Sequence, residues 1–369
     1  MRKKVVFVGL SGGVDSAVSA ALLKKAGYEV VGVFIKTWHP AFLECNEEEE
    51  RRDAMRVAAF LDIPFLIFDL EKVYKKEVAD YMIREYSTGR TPNPDVMCNR
   101  EVKFGAFLRK ALAMGALVRP LAEIFVATGH YAQKYEYGGV SSDTEETPPY
   151  FKKGTDPSKD QSYFLWTLKQ EQLSKILFPI GYLKKTEVRK LAKKFDLPVA
   201  EKKDSQGICF LGAVDLKEFL KHYIKPKKGE VINENSEIIG RHDGVVFHTL
   251  GERHGFVITK KGTNDKRYYV IGKDVKKNIL IVSTSPQPSP YKGEGEIQLQ
   301  NTNWINEMPD EKKTYTAQIR YHGEFLPCQI KCSTLRVAQV IFDKPVLVAS
   351  GQSCVIYDGD VCLGGGVVR

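Results

Sequence analysis

An apolar run, Lys4-Val5-Val6-Phe7-Val8-Gly9-Leu10, leads straight into Ser11-Gly12-Gly13-Val14-Asp15-Ser16 and then into Ala17-Val18-Ser19-Ala20-Ala21-Leu22-Leu23. A strand that empties through two adjacent glycines into a helix is laid out to hold an anion. Glycine lets the backbone turn its N–H groups toward one point, and the helix start adds the positive end of its dipole. Gly9, Leu10, Ser11, Gly12, Gly13, Val14, Asp15 and Ser16 are therefore the candidate phosphate loop. The ATPase loop ending in Gly-Lys-Ser/Thr is excluded, because no lysine stands in that place. Asp15 lies inside the cradle instead, where its charge would repel phosphate unless a divalent cation stood between them. Mg2+ held at Asp15 is the expectation. The plain alternative is a helix capped by Ser11 or Ser16.

Further apolar strands follow at Val30–Ile35, Pro64–Phe68 and Ile124–Ala127, the last running into Thr128-Gly129-His130. Helical stretches separate them, one from near Glu47 and one over Lys103–Met114. This alternation predicts an α/β fold with a doubly wound parallel sheet whose ligand lies beyond the strand ends, so Ile35 and Gly129 should approach the nucleotide. The Glu47–Glu50 run reads as a solvated helix start. A polar loop over 138–149 should join strands Tyr131–Tyr137 and Tyr150–Lys153.

At 369 residues the chain is too long for one core. The helical period between Gln161 and Lys225 suggests a small helical middle domain, and the short alternating runs from Gly229 onward suggest a β-barrel. The expected division is 1–160, 161–228 and 229–369. Within the last part, 283–295 is rich in proline, serine and glycine and reads as a loop.

A net charge of +9 favours a polyanionic partner without saying which. The early apolar run stops at Ser11 and none approaches membrane-spanning length, so a soluble, cytoplasmic protein with no membrane partner is expected. In such a compartment the seven cysteines are not a disulfide framework, and they form no paired CxxC units of a zinc site. Two stand out by their surroundings. Cys98 follows Thr91-Pro92-Asn93-Pro94-Asp95-Val96-Met97, where two prolines stiffen the chain and disfavour helix, so its thiol should be presented from a defined loop. Cys209 sits in the polar turn Asp204-Ser205-Gln206-Gly207-Ile208-Cys209-Phe210, with Lys202 and Lys203 near enough in sequence to favour thiolate. On position alone, each could equally be a small buried hydrophobe.

Ser11–Ser16, SGGVDS, resembles the signature of the N-type ATP pyrophosphatases, which cleave ATP between the α and β phosphates and adenylate an oxygen. A wider set of motifs, in order along nearly the whole chain, is similar to the bacterial tRNA-specific 2-thiouridylase family: GLSGGVDS at 9–16, GRTPNPDVMCNREVKFG at 89–105, ATGHY at 127–131, KDQSYFL at 159–165, KKDSQGICFLG at 202–212, HTLGER at 248–253, YVIGKD at 269–274 and CLGGG at 362–366.

The resemblance implies that ATP, with Mg2+, adenylates O2 of the wobble uridine in a tRNA anticodon. Sulfur then replaces that oxygen at C2, giving 2-thiouridine, AMP and pyrophosphate. It makes Cys98 and Cys209 the catalytic pair, Cys209 carrying a persulfide loaded by a sulfur-donor protein (a cysteine desulfurase or a sulfur-relay protein) and Cys98 closing a disulfide with it. Asn93, Pro94 and Asp95 would frame the target base, Asp95 as a proton acceptor or simply as a turn residue after proline. Gly129 would approach the nucleotide. His130 would face the RNA, or else be a satisfied histidine at a strand end. Lys159, Asp160, Gln161, Arg320, Tyr321 and Gln352 would contact tRNA, a cation and an aromatic together suiting a phosphate and a stacked base. Three features depart from the family pattern: Glu252 in place of glutamine, Ser350 in place of proline, and extra residues around 116–123.

Overall fold

The computed structural model describes residues 3–43, 46–135, 149–204, 215–260, 267–284 and 295–369. Cys45 and Cys209 lie outside them, as does most of the expected loops over 138–149 and 283–295.

Five strands form an all-parallel sheet in the spatial order Phe65–Asp69, Glu29–Lys36, Lys4–Gly9, Glu123–Ala127, Ile176–Leu177. Strand order reverses beside Lys4–Gly9, which makes the gap between it and Glu123–Ala127 the switch point where ligands of such sheets bind. The first strand shows why its sequence is apolar at every position. Val5 and Phe7 pack into a core with Phe68, Met82, Phe104 and Phe107, whereas Val6 and Val8 pack into a second core with Val18, Ala54 and Val57 on the opposite face. A parallel strand covered on both faces has no solvent side to mark with polar residues. The doubly wound sheet expected from the sequence is borne out.

The stretch expected as a helical middle domain does not stand wholly apart. Ile176–Leu177 supplies the fifth strand of the parallel sheet, and the helix Lys185–Lys194 buries Val188 and Ala192 in the same core as the helix Val14–Lys25.

The β-rich remainder contains two sheets. Gly229–Ile232, Ile238–His242, Phe256–Ile258, Tyr269–Asp274 and Ile279–Ser283 form a small five-stranded sheet with its own apolar cluster around Val231, Val270 and Leu280. The following six strands, Glu296–Trp304 to Val361–Val368, close into an antiparallel barrel, because Glu296–Trp304 pairs with both Val337–Phe342 and Val361–Val368. The hairpin of Ala132–Tyr135 and Tyr150–Lys153 extends this barrel's sheet, Lys152 standing opposite Val361 and Lys153 N–H donating to Asp360 O at 3.0 Å. A strand pair from the first half of the chain is thus stitched to the last.

Candidate nucleotide and thiol site

The glycine loop lies at the switch point. Gly12 has φ +72°, and a Cβ there would stand 2.4 Å from the Glu50 carbonyl oxygen, so both its conformation and its neighbour require glycine. The helix begins at Val14 with Gly13 as N-cap, and neither serine caps it. Ser16 Oγ donates instead to Gly13 O at 3.1 Å and accepts from Ser11 N–H at 3.2 Å, bracing the loop across its own turn. Gly129 is pressed against the same turn, where a Cβ would fall 2.8 Å from Ser16 N. Ile35 ends its strand beside Gly9. The loop, Ile35 and Gly129 are therefore brought together.

Asp15 is not an uncompensated charge. Lys185 Nζ donates to both its carboxylate oxygens at 2.7 and 2.8 Å, and Tyr131 Oη donates to Oδ1 at 2.8 Å. Lys185 also lies 2.9 Å from Asp204 Oδ1, and Asp204 further meets Lys159 at 3.0 Å and Arg189. Burial works against the charge on Asp204, but the lysines outweigh it and hold its carboxyl at about 2. Burial and then the Asp15 charge push the Tyr131 phenol well up, so it remains a donor. The cation demanded by an aspartate in an anion cradle is thus an ammonium. Among the described residues no group of three or more His, Cys, Asp or Glu could hold a metal ion, and both oxygens of Asp15 are committed to Lys185. These residues, as arranged, do not form a Mg2+ site, which corrects the reasoning that assigned the metal to Asp15. Lys185, Tyr131 and Asp204 escaped the sequence reading. The available signal was Lys184-Lys185 in the first turn of a helix, where the dipole disfavours cations unless something answers them.

The second cluster forms where GRTPNPD meets the barrel. Asn93 Oδ1 accepts from Ser353 N–H at 2.6 Å, and Thr91 N–H donates to Ser350 O at 2.8 Å. Gly351, at φ +95°, lets the two backbones touch, a Cβ there being 3.0 Å from Thr91 N. Asn93 and the Gly351-Gln352-Ser353 turn are therefore one unit. Half-buried Asp95 faces the same edge: burial, then Asp160 and Asp95, push the Tyr321 phenol up to about 12. Tyr321 lies against Phe164 with ring centroids 4.4 Å apart, and the exposed Arg320 precedes it.

Cys98 departs from expectation. Pro94 does not exclude helix but opens one, Pro94–Met97, since the first helical turn needs no N–H from it. The chain continues through wide π-type turns over Cys98–Phe107 before tightening into the helix Leu108–Val118. Cys98 is 3 % exposed and packs in the core that also holds Met97, Val102, Phe104 and Phe107. In the RNA-free chain the thiol is inside rather than presented from a loop. Its segment still abuts the nucleotide loop, Phe107 Cε1 lying 3.8 Å from a Cβ built on Gly9.

Other expected RNA contacts turn inward. Asp160 accepts from Gly154 N–H, Ser162 N–H and Ser162 Oγ at 2.8, 3.1 and 2.9 Å, and Gln161 Oε1 accepts from Tyr131 N–H at 3.0 Å. Lys159 is spent on Asp204. His130 is 6 % exposed, with Nδ1 2.7 Å from Thr128 Oγ1 and Nε2 3.4 Å from Lys103 Nζ, which makes it the satisfied histidine rather than one facing RNA. Burial, then Lys103, lower its pKa well below the usual histidine value, so the fold holds it neutral. The stability this contributes is present above about pH 6.5 and is lost as pH falls below it, by up to about 1.4 kcal/mol per pH unit. The melting temperature should fall more steeply between pH 7 and 5 in the wild type than in His130→Gln; parallel profiles would contradict it.

Comparison with known proteins now bears on this geometry. Residues 4–213 match the family model described as tRNA methyl transferase HUP domain, 217–284 the tRNA methyl transferase PRC-barrel domain and 294–368 the aminomethyltransferase beta-barrel domain. The tRNA-specific 2-thiouridylase MnmA of Geobacillus thermodenitrificans is 42% identical over 367 residues, covering 98% of this chain and 94% of the relative. The chain belongs to the tRNA-specific 2-thiouridylase family. A second member of the 2-thiouridylase family, the MnmA of Bacillus subtilis, is 41% identical over 98% of this chain and 94% of its own. Among solved structures, the U34-tRNA thiolase NcsA from Methanococcus maripaludis matches with TM-score 0.32 and 18% identity, covering 56% of this chain and 61% of that one. As in the 2-thiouridylase family models, the two β-rich segments are separate units. Among the described residues no helix is long and apolar enough to cross a membrane.

Proposed function

We propose that this chain is a tRNA sulfurtransferase that uses ATP to convert the anticodon wobble uridine to 2-thiouridine. The observation that carries this reading is the meeting of a lysine-free phosphate loop at the switch point with the NPD–Cys98 segment, packed on the same strand end at Gly9.

The chemistry follows from the leaving group. Oxygen on C2 of uracil departs poorly, so the base attacks the α-phosphate of ATP through O2 and expels pyrophosphate. Ser11–Ser16 and Gly129 hold the phosphate chain, and Ile35 and Gly129 border the nucleotide. Mg2+ would arrive with ATP, held chiefly by phosphate oxygens. Cys209, charged as a persulfide by a sulfur-donor protein, delivers its outer sulfur to C2, and AMP leaves with the original oxygen. In the direct route the outer sulfur bonds to C2 and the Cys98 thiolate then attacks the Cys209 sulfur, releasing thiouridine. In the other, Cys98 attacks first and frees hydrosulfide, which attacks C2. Both end in a Cys98–Cys209 disulfide that an external dithiol must reduce. The closed barrel and the small sheet grip the tRNA, with Asn93, Pro94 and Asp95 at the base, Asp95 taking its proton, and Arg320, Tyr321 and Gln352 along the edge. The base must leave its stack, at a cost of roughly a few kcal/mol, and the buried Cys98 must be uncovered when it does.

Incubation with ATP, Mg2+, sulfide and unmodified tRNA, followed by nucleoside mass spectrometry, tests this. Sulfur at C2 of uridine, with pyrophosphate release that requires tRNA, is the expected result. Sulfur elsewhere, an added methyl group, or pyrophosphate release indifferent to tRNA would overturn it.

A further inference from the structure

Lys185 answers the lysine missing from the glycine loop. It comes from the start of a helix 170 residues beyond Asp15, its backbone N–H fixed by Asp156 Oδ2 at 2.9 Å, and its side chain is only 13 % exposed. Its ammonium is shared by two carboxylates, each of which has another partner. Asp15 keeps the Tyr131 hydroxyl, and Asp204 keeps Lys159 and Arg189. The ammonium can therefore turn to a third anion without leaving either carboxylate bare, and the anion cradle lies in the same turn as Asp15. We propose that Lys185 is a phosphate-binding residue, resting on Asp15 in the empty site and moving to the polyphosphate of ATP, and to pyrophosphate as it forms, when they occupy the loop.

This rests on the ATP-using reading above, but its test is separate. Pyrophosphate is titrated calorimetrically into the full chain in EDTA, so that no metal mediates, with adenosine as a ligand that carries no phosphate. Lys185→Ala should weaken pyrophosphate about tenfold or more, the scale of a lost charge-assisted contact, and leave adenosine unchanged. Lys185→Arg should retain most of the affinity. Because Lys185→Ala could unfold the site by exposing two carboxylates, Asp15→Asn is the second background. It should tighten pyrophosphate by releasing the ammonium, and adding Lys185→Met to it should remove that gain. Pyrophosphate affinity unmoved by Lys185→Met in the Asp15→Asn background, or an equal loss for adenosine, would reduce Lys185 to a structural counter-ion of Asp15. Failure of the wild type to form 2-thiouridine would undo the functional reading and leave this binding comparison standing.

Discussion

Serine in place of Cys98 should cut 2-thiouridine formation on the order of a thousandfold, the scale seen when a residue acting as part of a chemical unit is removed. Pyrophosphate release in the presence of tRNA should persist, because adenylation needs the phosphate loop and the base but no thiol. Nucleoside mass spectrometry and a pyrophosphate assay on the same sample separate the two steps. A hydroxyl buried where a 3 % exposed thiol packed costs about 1–3 kcal/mol, so Cys98→Ala serves as the better-packed companion. If either variant still thiolates at the wild-type rate, Cys98 is a core residue and nothing more. Alkylation adds an independent reading: Cys98 should resist a thiol reagent in the free chain and become reactive when tRNA and a non-cleavable ATP analogue are both bound.

Alanine at Gly12 should weaken ATP binding by roughly a hundredfold or more and lower the melting temperature by several degrees. Two penalties add there. An L-residue at φ +72° costs about 1–2 kcal/mol, and its Cβ would stand 2.4 Å from the Glu50 carbonyl oxygen, which is backbone and has little room to yield. Gly27 is the internal control, with φ +85° and nothing within 4 Å of a Cβ, so Gly27→Ala carries conformational strain alone. Calorimetric titration of ATP and a thermal melt of both variants check this. Equal behaviour of the two would mean that Glu50 does not close on the loop.

The sheet was legible because a strand buried on both faces must be written in apolar residues, and Val5 to Val8 serve two cores at once. The loop was legible because Gly12 and Gly13 have a backbone task no other residue performs as well. The ion pairs around Asp15 were hidden, since nothing local to SGGVDS announces that Lys185 and Tyr131 will converge on it. Proline misled at Cys98. Asn93, at φ −107° and ψ 89°, is held out of the helix as the residue before a proline should be, yet Pro94 itself begins one. His130 could not be placed from sequence, because a strand-end histidine is equally suited to solvent or to a partner such as Thr128. Alternating runs after Gly229 showed strands but not how many sheets they make, since pairing partners such as Lys152 and Val361 lie far apart in the chain.

That last pairing has a mechanical consequence. Tyr131, which holds Asp15, is covalently followed by the strand Ala132–Tyr135, whose partner strand is sewn to the barrel. A torque applied where the barrel grips a ligand reaches the phosphate loop through a single residue, with no slack linker to absorb it. Severing the chain ahead of residue 295 would not yield a tidy half-molecule either: Tyr150–Lys153 would be left with a bare, pairing-hungry edge, and the fragment should clump.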